Sequence, residues 1–280
     1  MSNEKITVIE AKHKLFSINF KELLHYRDLI FLFVKRDLVN SYKQTVLGPI
    51  WILINPLLST GVFTIIFGVI AGIPTDGVPP FLFYMSGNVL WGFFSSNLNK
   101  GAGTFLGNAR IFGKVYFPRL VIPIANMIFN FINFALQSVV FIILVVAYAL
   151  AGAEVHPNLL ILLTPLLVLQ TALLGMGIGL IVSSITTKYR DLNILVSFGI
   201  SLLMYITPVV YPISKAPLGL GTALLLNPVA PIVETYRYAF LGSGAFHWVY
   251  WLVSVAVTAL ILVFGLVVFN KVEKNFIDTV

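Results

Sequence analysis

The chain has 280 residues, 58% of them hydrophobic and 10% charged, and a mean hydropathy of +0.94. A soluble domain carries about 25% charged residues, so this composition excludes an ordinary soluble enzyme and implies an integral membrane protein. Cysteine is absent, which excludes disulfides, thiolate chemistry and Cys-based metal sites. A net charge of +7 raises nucleic acid as a partner, but the excess lies in loops of one side, as membrane topology demands, so no nucleic acid is expected.

Residues 1–20 are mixed and polar, and a flexible N-terminus is expected there. Residues 21–48 run without Gly or Pro until Gly48, which predicts a helix. Its apolar centre between Asp28 and Lys35 is too short to span, so it is expected to lie amphipathically along the cytoplasmic interface. It reads equally as a surface anchor or as a docking face for a soluble partner.

Six later stretches reach the roughly 20 apolar residues of a membrane span: about 49–72, 80–99, 120–150, 158–185, 192–213 and 248–270. No Asp, Glu, Lys or Arg falls within them. Of 18 Lys and Arg, eight precede the first stretch, four follow the second, two follow the fourth and two follow the sixth. The positive-inside rule then predicts six helices with both termini in the cytoplasm. The fold class expected is an all-α membrane domain over 49–280.

Between the second and third spans, the loop Lys100 to Arg119 holds four basic and no acidic residues, with one short helix expected near 104–112. It reads as a solvated loop or as a helix that fits a partner. Between spans five and six, 214–247 is too apolar for an exposed loop. It predicts short re-entrant or amphipathic outer helices, with Glu234 and Arg237 three residues apart and able to pair.

Chemistry is sparse. GNARIFGK (Gly107 to Lys114) has five residues between its glycines where a phosphate-binding loop needs four, and Val115 follows the Lys where Ser or Thr is required. Gly175 and Gly179, like Gly68 and Gly72, read as small-residue packing faces. Intramembrane ionisable residues mark proton and ion pathways, and the predicted spans hold none, so no proton relay is expected; sodium coupling through backbone carbonyls stays open beside the expectation that a separate subunit supplies the energy. Asn126, Asn130, Asn133 and Gln137 share one helix face, and Asn193, Ser197, Ser201 and Tyr205 recur every four residues. These uncharged stripes read as a hydrated path for a hydroxyl-rich substrate or as hydrogen-bond glue between helices. Trp91 joins the path candidates because aromatic faces stack on sugar rings.

RDLVNSYKQTVLGPIW (Arg36 to Trp51) resembles the N-terminal signature of permease subunits of bacterial ABC-2 type polysaccharide exporters, the family of O-antigen, teichoic acid and capsule export. KYRDL (Lys188 to Leu192), TPVVYP (Thr207 to Pro212) and NPVAPIVETYRYAF (Asn227 to Phe240) follow in order, so the resemblance runs from about residue 25 to the end. Ser41 departs from it, since many relatives carry Arg before the Tyr.

The resemblance implies a homodimer in the bacterial plasma (inner) membrane, joined to two ATP-binding cassette subunits that hold ATP and Mg. This chain would have no cofactor and no active site of its own. Docking would fall to Arg27, Lys35, Arg36, Asp37, Lys43, Arg110 and Lys114. An outer gate would involve Asn227, Pro228, Glu234 and Arg237. A lipid-linked glycan would pass between two copies, along the first and fifth spans. The alternatives are an ABC-2 exporter of lipids or small molecules, or a membrane scaffold or enzyme of envelope polymer assembly. The last would need an outward acid or His cluster, which the sequence does not display.

Overall fold

The computed structural model describes residues 20–43, 45, 47–189, 191–216 and 220–275. The expected flexible N-terminus (residues 1–19 of it) and Arg190 of KYRDL lie outside the described residues. So does the side chain of Asn193. Among the described residues all regular structure is helical.

Helices α1 (Phe20–His25) and α2 (Arg27–Tyr42) precede α3 (Trp51–Phe63), which continues into a π-helical turn over Thr64–Ile70. Then come α4 (Pro80–Ala102), α5 (Thr104–Phe112), α6 (Val121–Leu150), α7 (Thr164–Thr186) and α8 (Leu192–Ile206). The short α9 (Leu220–Leu225), α10 (Val229–Leu241) and α11 (Trp248–Asn275) complete the chain. Among the described residues, four helical stretches are long and apolar enough to cross a membrane: Gly48–Ile70, Val121–Leu150, Leu159–Thr186 and Trp248–Glu273. They coincide with the first, third, fourth and sixth predicted stretches.

The other two differ for physical reasons. Helix α4 has 23 residues but is less apolar, because most of its surface faces protein; Ser86, Asn97 and Gly101 are among its buried residues. Helix α8 has 15 residues, about 22 Å of rise against a hydrocarbon core of about 30 Å. The expected helix over 192–213 stops early because Pro208 disfavours helical backbone at the preceding residue, and Thr207 is extended (φ −94°, ψ 141°).

Two apolar cores hold the chain. The larger joins α4, α6, α7 and α10 around Phe83, Phe94, Phe141 and Tyr236. The smaller joins α2, α5, the start of α6 and α11 around Phe33, Phe105, Phe112, Phe117 and Phe269. The chain thus has an α10 end and an α2 end. Helix α2 is not a simple amphipathic helix. Leu23 of α1 and Ile30, Phe33 and Val34 of α2 are buried, while Leu24, Phe31, Leu32 and Val39 are exposed apolar residues. Apolar side chains therefore point both into the protein and away from it.

Helix α7 is packed closely on two sides. A Cβ on Gly179 would sit 2.8 Å from Gly101 Cα, and one on Gly175 would sit 2.8 Å from the Phe94 carbonyl oxygen, so that face meets α4. Gly72 serves no packing face: nothing lies within 4 Å, and its φ of +63° marks a turn.

Candidate functional site

Pro56 lies inside α3 and has no N–H to give the carbonyl of Ile52. Gln137 of α6 supplies the missing donor, its Nε2 lying 3.2 Å from that oxygen. On the same face, Asn130 Nδ2 donates to Asn97 Oδ1 (3.2 Å) and Asn126 Nδ2 donates to the Lys100 carbonyl (3.4 Å). The α6 stripe therefore ties three helices together. It also borders a cavity of about 320 Å³ whose polar lining is Ser41, Asn55, Ser96, Asn130, Asn133 and Gln137. None of the lining residues is charged, and the walls come from α2, α3, α4 and α6.

The second stripe is not brought to this cavity. Ser197, Ser201 and Tyr205 are exposed on α8, beside exposed Ile194, Leu195, Phe198 and Leu202. Ser201 Oγ donates to the Ser197 carbonyl within the helix (3.1 Å). Trp91 is also apart from the cavity, buried in the larger core against Phe94 with ring centroids 5.2 Å apart.

At the α10 end, the expected pair of Glu234 and Arg237 forms with Nη1–Oε1 at 3.0 Å. It is not the exposed pair of an amphipathic helix. Arg237 is 1% and Glu234 4% exposed, and α10 is buried on nearly all sides. The reason lies in TPVVYP. Its irregular backbone leaves carbonyls at depth, where non-helical backbone survives only if protein satisfies it. Arg237 Nη2 donates to the carbonyls of Pro208 (2.9 Å) and Val209 (3.3 Å), and its Nε reaches Ser86 Oγ (3.4 Å). The guanidinium lies 3.8 Å over the Phe83 ring. Gly87 leaves the room: a Cβ there would sit 3.0 Å from Arg237 Nη2. Asn227 Nδ2 donates to Thr207 Oγ1 (2.9 Å), and the Pro228 carbonyl accepts from Ser254 Oγ of α11 (2.5 Å).

Folding also assembles what the sequence does not display. Asp76, Glu234 and His247, from three separate segments, border one cavity of about 410 Å³ at this end. No spacing rule could have found it, because the loop after the π-helical turn and the turn after α10 meet only in the folded chain.

At the α2 end, Arg27, Lys35, Lys43, Arg110 and Lys114 are exposed. Arg36 pairs with Asp37 at 2.8 Å and lies 4.6 Å over the Phe33 ring. Arg119, by sequence one more loop charge, is instead 6% exposed. Its guanidinium donates to the Glu273 carbonyl, its amide donates to Glu273 Oε1 (3.3 Å), and it sits against Phe112 (5.5 Å). Burial lowers the Arg119 pKa and the neighbouring Glu273 opposes that shift. Arg119 thereby fastens the segment after α5 to the end of α11.

The profile of the ABC-2 type transporter family matches residues 28–241, from α2 to the end of α10. The chain belongs to the ABC-2 type transporter family. Among ABC-2 relatives, the O-antigen export system permease protein RfbA of Klebsiella pneumoniae is 28% identical over 264 residues, 94% of this chain and 99% of that protein. The protein of the same name from Myxococcus xanthus is 30% identical over 223 residues, 79% and 83% of the two chains. The polysialic acid transport protein KpsM of Escherichia coli is 26% identical over 211 residues, 74% and 78%. The ABC-2 match covers Lys35, Arg36, Lys43, Arg110 and Lys114 at the α2 end and the Glu234–Arg237 node.

Proposed function

We propose that this chain is the membrane half of an ATP-driven exporter of a lipid-linked polysaccharide of O-antigen, capsule or teichoic acid type. The observation that carries this reading is the near end-to-end likeness to an O-antigen export permease. In it, α3 with its π-helical turn, α4, α6, α7, α8 with the TPVVYP segment, and α11 are the six spans of the bacterial plasma membrane, with both termini cytoplasmic. Two copies of the chain flank the path. Two ATP-binding subunits, which hold ATP and Mg, dock on α2 and α5 through Arg27, Lys35, Arg36, Asp37, Lys43, Arg110 and Lys114.

The path runs past the exposed α8 face with Ser197, Ser201 and Tyr205, Asn193 falling on the same stripe. The uncharged cavity with Asn130, Asn133 and Gln137 hydrates its flank, and Asn126 and Trp91 hold the neighbouring helices in place. The node of Asn227, Pro228, Glu234 and Arg237 frames the exit. An uncharged, hydroxyl- and amide-lined route suits a glycan, which exchanges hydrogen bonds without needing a counter-charge.

Co-expression with the ATP-binding subunit tests the reading. A stable complex with ATPase activity is expected, and cells lacking the gene are expected to retain lipid-linked glycan inside. Failure to form the complex, together with unchanged surface glycan in the deletion strain, would overturn it.

A further inference from the structure

We propose that the cavity bordered by Asp76, Ser214, Ser243 and His247 binds a neutral sugar unit; its biological meaning rests on the export reading above. The cavity measures about 410 Å³, within the range of roughly 300–1,000 Å³ typical of small-molecule sites. Its floor is Glu234 and its rim the turn Gly242–Ala245.

The wall is rich in acceptors and contains an unused hydroxyl. Asp76 accepts from Ser214 Oγ through both oxygens (2.9 and 2.8 Å), and a carboxylate offers about four lone-pair sites, so it can accept further donors. The backbone of Gly244 runs close beside Glu234: a Cβ there would fall 2.6 Å from Oε2. Ser243 is 4% exposed and borders the cavity, and its Oγ has no hydrogen-bond partner among the described residues. Buried hydroxyls are nearly always paired. A ligand in the cavity that reaches this hydroxyl would supply the partner it lacks.

Such a wall calls for a ligand rich in O–H donors. A metal ion does not suit it, since no group of three or more His, Cys, Asp or Glu among the described residues could hold one. An acidic sugar is disfavoured by the Asp76 and Glu234 carboxylates, because the neighbouring buried Arg237 is already engaged with Glu234 and two carbonyls. A hexose ring with vicinal hydroxyls matches the lining, as Asp76 already shows by holding the Ser214 hydroxyl.

The test uses the full chain with its ATP-binding subunit in nanodiscs, with mannotriose, trigalacturonic acid and calcium chloride as separate probes read by saturation-transfer NMR and calorimetry. Mannotriose is expected to bind weakly, and both Asp76→Asn and Ser243→Ala to weaken it about tenfold, the loss of one or two hydrogen bonds. Ser243→Ala is the sharper variant. A purely structural role predicts no loss from removing an unpaired hydroxyl, and melting curves show that the fold survives. No mannotriose binding, binding unchanged in both variants, or preferential binding of calcium or trigalacturonic acid each overturns the site. Surface glycan in cells separates the two claims. A deletion strain with normal export refutes the export reading whatever the sugar data show, while impaired export without mannotriose binding refutes the site alone.

Discussion

Pro56 stands four positions after Ile52, and that spacing explains why Gln137 stands where it does. A proline inside a helix frees the carbonyl one turn earlier, and in an apolar setting an unpaired carbonyl costs about 1–3 kcal/mol. Gln137 Nε2 takes that carbonyl. Gln137→Leu is therefore expected to lower stability by about 1–3 kcal/mol, read as detergent-solubilised thermal melting. Adding Pro56→Ala restores the backbone donor and is expected to recover most of the loss; a double variant as unstable as the single one defeats the explanation. Arg237 obeys the same logic with charge. Arg237→Met leaves Glu234 buried and unpaired and is expected to cost about 3–5 kcal/mol. Arg237→Lys is expected to rescue little, because a point-charge ammonium cannot fork to Glu234, Ser86 and two carbonyls together. Retained melting temperature in the lysine variant would show that charge alone suffices. The pairing of Glu234 with Arg237 was legible from their spacing. Its burial was not, because the reason lies in the broken backbone of Pro208 and Val209, some 28 residues away. Arg119 escaped for a related reason: its partner Glu273 is 154 residues distant, and a count of loop charges treats it as solvated.

Among the elements, apolar length announced the long helices and missed what trims the others. Four apolar stretches became helices nearly at their predicted bounds, since nothing in them competes with hydrocarbon-driven helix formation. Helix α8 fell short because TPVVYP is both apolar and unable to continue a helix, and hydropathy registers only the first property. The Gly175–Gly179 face was readable as a four-residue repeat. Gly177 on the opposite face was not, because its counterpart is Gly265 of α11, where a Cβ would lie 2.5 Å from the Gly177 carbonyl oxygen. Helix α7 is thus held between α4 and α11 by glycines on both sides. Gly179→Ala would force α4 and α7 apart and is expected to lower the melting temperature. Gly61→Ala in α3, with nothing within 4 Å of the added Cβ, is expected to be neutral or to stabilise by up to about 1 kcal/mol through helix propensity. Equal melting of the two variants would mean that close α4–α7 approach does not limit stability.

At the scale of the whole molecule, the two cores divide the chain into ends with different work. The α2 end carries exposed Lys and Arg over a packed aromatic cluster, a rigid base on which a soluble partner can push. Arg119 ties the segment after α5 to the end of α11 beside it. At the α10 end the Glu234–Arg237 pair is buried, and Asp76, Ser243 and His247 border a cavity. Between them α8 exposes both apolar and hydroxyl side chains, a mixture that lipid on all sides would not favour. In the proposed dimer, a second copy seated across this face would leave Ser197 and Ser201 beside a hydrated gap and cover the apolar residues. The absence of native cysteine makes this testable without background. Ser201→Cys is expected to react with a water-soluble maleimide in the assembled complex, whereas Leu260→Cys, exposed on α11, is expected to resist it as a lipid-facing site. In intact cells Ala151→Cys is expected to label from outside and Gly107→Cys only after permeabilisation, because the proposed topology puts the turn after α6 outside and α5 inside. Equal resistance of Ser201→Cys and Leu260→Cys places α8 in lipid and moves the path to the cavity lined by Asn55, Ser96 and Asn133. Reactive Ser201→Cys that forms a disulfide across two copies places the hydrated gap between them.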